Sequence, residues 1–246
     1  MINDLLIVAA GMGSRLRSIG NLKPLVEVGD VPLITRALEA AFSAGVTRAV
    51  VVTGYNSDIL KAYLERLSKE KGWPIDIIYN PEFERSNGIS VLAAQNHLRG
   101  EFFLAMCDHI VEKEIYQVLA SYDLKAGEVG LGVDHKLDNP AVDLEDVTKV
   151  QLKGDIIQEI GKGIEAYNGF DTGIFRANPA LFKAIEKAGV ESGDYSISGG
   201  MLQLAQEGKA KGIDIGPCFW IDVDSPEMLK YATSWIAEQK DPICAT

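Results

Sequence analysis

The sequence predicts an α/β protein: a mostly parallel, doubly wound sheet that carries a small β-rich lobe. Through the first half, apolar runs of strand length alternate with stretches of helix length. That is the pattern of a mostly parallel sheet covered on both faces. In the second half, strand-like runs follow one another across short turns, which adds β structure without crossover helices. The first apolar run also empties directly into a glycine-rich loop, and ligands of such sheets sit outside the carboxyl ends of the strands.

The first run is Leu5-Leu6-Ile7-Val8-Ala9-Ala10. Further strands are expected at 48–53, 75–79 and 102–106, with helices at 32–44, 58–69 and 89–97 between them. Strands at 146–152, 156–160 and 170–175, joined by turns such as Lys153-Gly154-Asp155, form the expected lobe across the mouth of the sheet. Helices return at 179–187 and 198–206, followed by a strand at 219–223 and a last helix at 226–238. No linker-like, low-complexity or repeated segment interrupts the chain. Residues 1–246 therefore read as one domain, with one half at about 1–125 and the lobe at about 126–246.

Composition excludes several classes. At 47% hydrophobic and 24% charged residues, the chain has the balance of a soluble globular protein with a substantial core. No apolar run reaches the roughly 20 residues a membrane span needs, and the start Met1-Ile2-Asn3-Asp4 lacks the basic opening of a secretory signal. Cys107, Cys218 and Cys244 are widely spaced and odd in number, which suggests neither a disulfide framework nor a zinc site. The cytoplasm is the expected location. A net charge of −11 argues against a nucleic-acid partner, which would ask for a basic face. Any polyphosphate must then be held by a few local cations or by a divalent metal.

Gly11-Met12-Gly13-Ser14-Arg15-Leu16, with Lys23-Pro24 beyond it, offers those cations. The glycines let backbone N–H groups turn toward an anion, and Arg15 and Lys23 balance a triphosphate. The loop lacks the third glycine of G-x-G-x-x-G and the G-K-[ST] of a P-loop, and alone it also fits an ordinary strand-to-helix turn. Arg15 is its strongest residue, since an arginine in a glycine loop has little packing to do there.

Asp108 ends the apolar run Phe102-Phe103-Leu104 at the edge of the expected crevice, although a helix N-cap is an alternative role for it. His109 beside it reads as structural or solvated. In Trp220-Ile221-Asp222-Val223-Asp224-Ser225-Pro226, Asp222 and Asp224 share one face of a strand and can point at a common cation. The alternative there is again a cap before a proline-started helix. Magnesium takes one or two carboxylates together with phosphate oxygens and water, so Asp108 with Asp224 can bridge a Mg²⁺-triphosphate.

Ala9-Ala10-Gly11-Met12-Gly13-Ser14-Arg15-Leu16 followed by Lys23-Pro24 resembles the signature of the sugar-1-phosphate nucleotidyltransferases. Asn87-Gly88-Ile89-Ser90 and Met106-Cys107-Asp108-His109-Ile110 are similar to CTP:inositol-1-phosphate cytidylyltransferases in particular. Thr148-Lys149-Val150, Ile160-Gly161-Lys162, Phe170-Asp171-Thr172-Gly173 and the Asp222–Asp224 segment agree in order, so the resemblance runs over almost the whole chain.

The resemblance implies a Rossmann-like, doubly wound mixed sheet with a small β-rich acceptor-binding lobe, and Mg²⁺-dependent conversion of CTP and inositol 1-phosphate into CDP-inositol and pyrophosphate. Arg15 and Lys23 would contact the triphosphate, with Asp108, Asp222 and Asp224 as the metal carboxylates. Ala9, Ala10, Gly11, Gly13, Ser14, Asn87, Gly88 and Ser90 would surround the nucleotide. The lobe would bind a phosphorylated polyol through Lys149, Lys162, Asp171 and Thr172, with Asp143 and Asn168 available for hydroxyls. Bland roles stand beside these: Lys149 on an alternating strand and Lys162 in a Gly-Lys-Gly turn can also face water.

Two departures stand out. Cys107 occupies the place where the family usually has glycine, and the membrane transferase often fused to such enzymes does not follow here. Either the product is released freely, for a separate membrane transferase to use, or the chain is an excised portion of a longer fusion. Phosphocholine or a sugar 1-phosphate is the competing acceptor, with Tyr167 and Trp220 as potential walls for a quaternary ammonium. A catalytically silent, nucleotide-binding regulatory subunit is the competing class. It is disfavoured because Arg15, Lys23, Asp108 and Asp224 are all present. Base identity and oligomeric state are not legible.

Overall fold

A computed structural model describes residues 2–16, 20 and 22–240, with Ser14, Gln239 and Lys240 described by their backbone alone. Cys244 lies outside the described residues. The chain runs β1 (Asp4–Ala9), β2 (Glu27–Val28), β3 (Val31–Pro32), α1 (Leu33–Ser43), β4 (Arg48–Thr53), α2 (Ser57–Lys71) and β5 (Ile75–Tyr79). It continues through α3 (Asn87–Ala93), β6 (Phe102–Met106), β7 (His109–Val111), α4 (Lys113–Ser121), β8 (Val129–Asp134), β9 (Lys149–Lys153) and β10 (Ile156–Gly161). The last elements are β11 (Gly169–Ala177), α5 (Pro179–Ser192), α6 (Ile197–Gln206), β12 (Ala210–Asp214), β13 (Trp220–Asp222) and α7 (Pro226–Lys240).

The central sheet has nine strands in the order β5-β4-β1-β6-β11-β8-β12-β10-β9. Strands β5, β4, β1 and β6 are parallel, and β11 enters antiparallel between β6 and β8. The chain moves outward from β1 to β5 and then returns to the other side of β1 at β6. A crevice opens at that reversal, where loops from the carboxyl ends of β1 and β6 separate.

Strand β1 explains why its sequence is apolar without alternation. Leu5, Ile7 and Ala9 pack into one core with α1, α2 and α4, while Leu6, Val8 and Ala10 pack into a second core with α3, α5 and α6. At about 25 cal/mol per Å² of apolar surface, burying both faces is the main source of the strand's stability. A third, smaller core joins Leu16, Val26, Ile110, Ile221 and Val223 to α7 beneath the glycine loop.

The β-rich segment belongs to the main sheet rather than lying across it. Strands β8, β12, β10 and β9 continue the sheet, and β9 returns to pair with Gly169 and Phe170 of β11, curling this end toward a closed ring. The expected strand at 146–152 begins only at Lys149. Before it, the N–H groups of Asp146 and Val147 both donate to the Asp143 carbonyl, forming a turn that faces the crevice. The helix expected at 89–97 ends at Ala93 and gives way to a single 3-10 turn at Gln95–His97.

Strands β8 and β12 carry glycines that hide their pattern. A Cβ on Gly132 would stand 2.8 Å from the Thr172 hydroxyl, and one on Gly212 would strike the Leu152 side chain. Glycine weakens strand propensity and is used here for close approach between neighbours. Among the described residues, no helix is long and apolar enough to cross a membrane.

Candidate active site

The glycine loop is shaped around Lys23. Gly13 has φ +57°, and a Cβ there would run into the Lys23 side chain, so the backbone and the packing both require glycine. A 3-10 turn at Ser14–Leu16 presents Arg15, and a second at Lys23–Leu25 presents Lys23. Lys23 is buried, whereas the Arg15 side chain is about half exposed at 53%. Gly11 has open space where a side chain would stand.

A two-stranded ribbon faces this loop. Strands β7 and β13 pair antiparallel, with Asp222 opposite His109. Asp108 lies just before β7 and Asp224 just after β13. The Val223 N–H donates to the Asp108 carbonyl at 3.0 Å, locking the two ends together. Residues far apart in sequence thus put three carboxylates in one place. Cys107 is accommodated without disturbance: its N–H donates to the Val8 carbonyl at 3.3 Å, which extends the pairing of β6 with β1.

Cations and carboxylates interlock there. The Lys23 ammonium lies 2.6 Å from Asp108, in direct contact with Asp224, and 3.9 Å from Asp222. Arg15 donates to Asp224 at 2.8 Å and to Asp146 at 2.9 Å, and the other oxygen of Asp146 takes Lys162 at 2.6 Å. Burial opposes the charge on Lys23, yet Asp108 and Asp222 outweigh it and raise its pKa. Asp108 is held well below the usual carboxylate range, because Lys23 and His109 overcome its desolvation. Asp146 is lowered in the same way, with hydrogen bonds from Arg15 and Lys162 offsetting burial.

The other acids behave differently. Burial pushes Asp222 upward despite His109 nearby, and its Oδ1 is buried without a hydrogen-bond partner among the described residues. Burial lifts the Asp171 carboxyl to about 6, although the Gly173 N–H donates to it at 2.7 Å. His109, against its own burial, is raised to about 9 by Asp222 and Asp108. Oxygens of Asp146, Asp222 and Asp224 lie within 4.8 Å of one another, as do ligand atoms of Asp108, His109 and Asp222.

Two clefts meet at this cluster. One, of about 870 Å³, is walled by Gly11, Gly13, Arg15, Lys23, Phe83, Arg85 and Ser90. The other, of about 930 Å³, is walled by Asp143, Asp146, Lys162, Asp171, Gly173 and Trp220. Asn87, Met106, Asp108 and Asp224 line both.

Several expected residues do other work. The Thr172 side chain is fully buried and donates to the Gly132 carbonyl at 2.9 Å, on the opposite face of β11 from Asp171. Lys149 stands behind the cleft, donating to the Lys162 carbonyl at 3.4 Å with its ammonium over the Tyr167 ring. Asn168 is spent on the Leu152 backbone, at 2.8 Å to its N–H and 3.0 Å to its carbonyl. A Cβ on Gly88 would collide with the Tyr195 carbonyl, so this glycine serves the packing of α3 against the start of α6. The Ala10 carbonyl accepts the Tyr55 N–H at 3.0 Å, and Ala9 lies in the β1 pairing with β4. Asn87 accepts the Ile197 N–H at 2.9 Å while lining both clefts, and Ser90 accepts from Asn80 at 3.0 Å.

Asp146, Phe83 and Arg85 escaped the sequence reading. Asp146 lies in a turn without periodicity. Its one local signal is the run of acids Asp143-Leu144-Glu145-Asp146.

The MobA-like NTP transferase domain model matches residues 5–135, just over half of the chain. A "Bifunctional IPC transferase and DIPP synthase" of Rubrobacter xylanophilus is 32% identical over 96% of this chain and 53% of its own length. The chain spans about half the length of the bifunctional relatives it matches. A "Mannose-1-phosphate guanyltransferase" of Aspergillus fumigatus is 29% identical over 90% of this chain and 61% of its own. Among solved structures, the inositol-1-phosphate CTP transferase from T. maritima shares the fold, with a TM-score of 0.82, 23% identity and coverage of 96% and 97% of the two chains. On the match across β1, the glycine loop and the Asp108 segment, the chain belongs to the family of MobA-like NTP transferase domains.

Proposed function

We propose that this chain is a nucleotidyltransferase that joins CTP and inositol 1-phosphate, giving CDP-inositol and pyrophosphate. The observation that carries the reading is the meeting of two clefts at one wall of Asn87, Met106, Asp108 and Asp224. A hydrolase needs one substrate compartment and water, whereas a transferase must bring two bound molecules to a common point. The first cleft, drawn mainly from the first half of the chain, takes the triphosphate. The second, drawn mainly from residues after about 125, takes the acceptor.

An oxygen of the acceptor phosphate attacks the α-phosphorus, the bond to the β-phosphate oxygen breaks, and pyrophosphate leaves on the opposite side. That nucleophile is already ionised near neutral pH, so no base is needed. The protein acts by positioning and by charge neutralisation. Lys23 and Arg15 exchange their carboxylate partners for phosphate oxygens of the nucleotide. Lys162 holds the acceptor phosphate, while Asp171 and Asp143 accept hydrogen bonds from polyol hydroxyls.

The acids fit a divalent cation. Asp108, Asp222 and Asp224 supply only hard oxygen donors, and the buried Oδ1 of Asp222 lacks a hydrogen-bond partner among the described residues. Bound there, Mg²⁺ would neutralise charge on the phosphates between the two substrates. A cytoplasmic setting, with a membrane transferase activity consuming CDP-inositol, completes the proposal.

Trp220, expected as a wall for a quaternary ammonium, is buried with its ring against His109 and its Nε1 on Asp134, which leaves a phosphorylated polyol as the favoured acceptor. Pyrophosphate release is measured with Mg²⁺ for CTP, UTP, GTP and ATP, each paired with inositol 1-phosphate, phosphocholine and glucose 1-phosphate. Release restricted to CTP with inositol 1-phosphate supports the reading. Preference for another pair replaces the substrates, and silence across the grid removes the activity.

A further inference from the structure

His109 has no role in the reaction outlined above, yet its surroundings are unusually specific. Its Nδ1 lies 3.0 Å from Oδ1 of Asp108, while Oδ2 of the same carboxylate faces Lys23 at 2.6 Å. A carboxylate only accepts, so the imidazole Nδ1 is the donor. The ring lies parallel to Trp220, at an interplanar angle of 11° and a centroid separation of 6.1 Å. On another side it rests on Gly173 of β11, where φ is +74° and a Cβ would stand 2.7 Å from Nε2. The Trp220 ring is itself fixed, donating from Nε1 to Asp134 at 2.8 Å. Nε2 faces the Gly173 backbone, and the hydrogen bond to Asp108 is made through Nδ1.

We infer that His109 is a positioning residue: it fixes one oxygen of Asp108 so that the other is presented to the cation at the wall shared by the two clefts. The inference rests on the proposal that Asp108 is a metal carboxylate. A monodentate carboxylate is free to rotate about its Cβ–Cγ bond, and a hydrogen bond to the non-ligating oxygen removes that freedom. Such outer partners of metal ligands are worth roughly 10- to 100-fold in metal affinity. Gly173 and Trp220 act through the ring, one by leaving room for it and the other by walling it.

The test uses two isosteric amides. An asparagine amide reaches the position of Nδ1, whereas a glutamine amide reaches that of Nε2. The Mn²⁺ dissociation constant of the metal-free protein is measured by calorimetry for wild type, His109→Asn, His109→Gln and Asp108→Asn. The Mg²⁺ concentration for half-maximal pyrophosphate release and the KM for inositol 1-phosphate are measured alongside. The inference expects His109→Asn to stay within about threefold of wild type. It expects His109→Gln to weaken Mn²⁺ binding and raise the Mg²⁺ requirement about tenfold, with the KM for inositol 1-phosphate unchanged.

Gly173→Ala, which pushes the ring away, is expected to match His109→Gln. If Asp108→Asn binds Mn²⁺ as wild type does, the metal role of Asp108 falls and the inference with it. If Asp108→Asn loses the metal while both His109 variants bind like wild type, or both fail alike, the metal role stands and the positioning role of His109 is overturned.

Discussion

Lys23 and Asp108 form an ion pair of 2.6 Å at the point where the two clefts touch. The lysine comes from the turn after β1 and the acid from the end of β6, so the pair spans the crevice at the reversal of strand order. Asp224 closes on the same ammonium from β13. In the free protein, Lys23 therefore holds the acids at the place where the proposed reaction requires cations to hold phosphates.

Replacing Lys23 by methionine should separate two effects. Without its buried ammonium, the acid cluster is left uncompensated, which costs about 3 kcal/mol of stability in metal-free buffer. Added Mg²⁺ should restore most of the lost melting temperature. Catalytic efficiency with CTP should still fall at least about 100-fold, because the triphosphate loses a cation. Thermal unfolding with and without Mg²⁺, set beside kcat/KM for CTP, checks both. An unchanged KM and kcat would remove Lys23 from the site.

Asp108→Asn and Asp224→Asn keep the side-chain shape and remove a charge from the shared wall. Turnover should drop at least about 1,000-fold with the fold retained by circular dichroism, and Asp108→Asn should also melt lower than wild type, because it takes a partner from the buried Lys23. Rates within a few-fold of wild type in saturating Mg²⁺ contradict the metal assignment.

Asp146 bridges Arg15 at 2.9 Å and Lys162 at 2.6 Å, one cation from each cleft. Both cations are more than half exposed, at 53% and 57%, so the bridge adds less than about 1 kcal/mol to folding. Its importance should lie in placing the two cations. Asp146→Ala should lower kcat about tenfold with little change in melting temperature and no rise in either KM. Steady-state kinetics with each substrate varied decides it, and an unaltered kcat contradicts the role.

Asp171 sets a stability cost at the acceptor cleft. Its carboxyl is lifted to about 6 by burial, above the value of about 3.9 in an unfolded chain. Between those values the folded protein keeps a proton that the unfolded chain has lost. Stability therefore declines as pH rises through this window, and the loss is complete above it. Asp171→Asn should melt about 5–10 °C higher than wild type at pH 7.5 and close to it near pH 4. The same variant should raise the KM for inositol 1-phosphate. A pH-independent gap in melting temperature is the contrary result.

The parallel half of the fold was legible because β1 buries both faces, and a strand buried on both faces must be apolar at every position. Gly13, Lys23, Asp108 and Asp224 were legible because their types and places stand out locally. Strands β8 and β12 were not, since Gly130, Gly132 and Gly212 give up propensity to let neighbouring side chains approach. The Thr172 hydroxyl donates to the Gly132 carbonyl, which belongs to one of those hidden strands, so its structural partner has no local signal. Thr172→Val should accordingly cost about 1–2 kcal/mol of stability and leave the acceptor KM unchanged, as unfolding and steady-state kinetics would reveal. Asp146 and His109 gain their surroundings from Arg15, Lys162, Gly173 and Trp220, all brought in by tertiary contacts that no local pattern announces.

The central claim is transfer between two bound substrates, and ³¹P NMR of CTP and inositol 1-phosphate with the protein and Mg²⁺ tests it most directly. The account predicts paired diphosphate resonances of CDP-inositol growing in step with pyrophosphate, and neither signal when inositol 1-phosphate is omitted. Inorganic phosphate or CMP formed without the acceptor, or a spectrum that never changes, would contradict it.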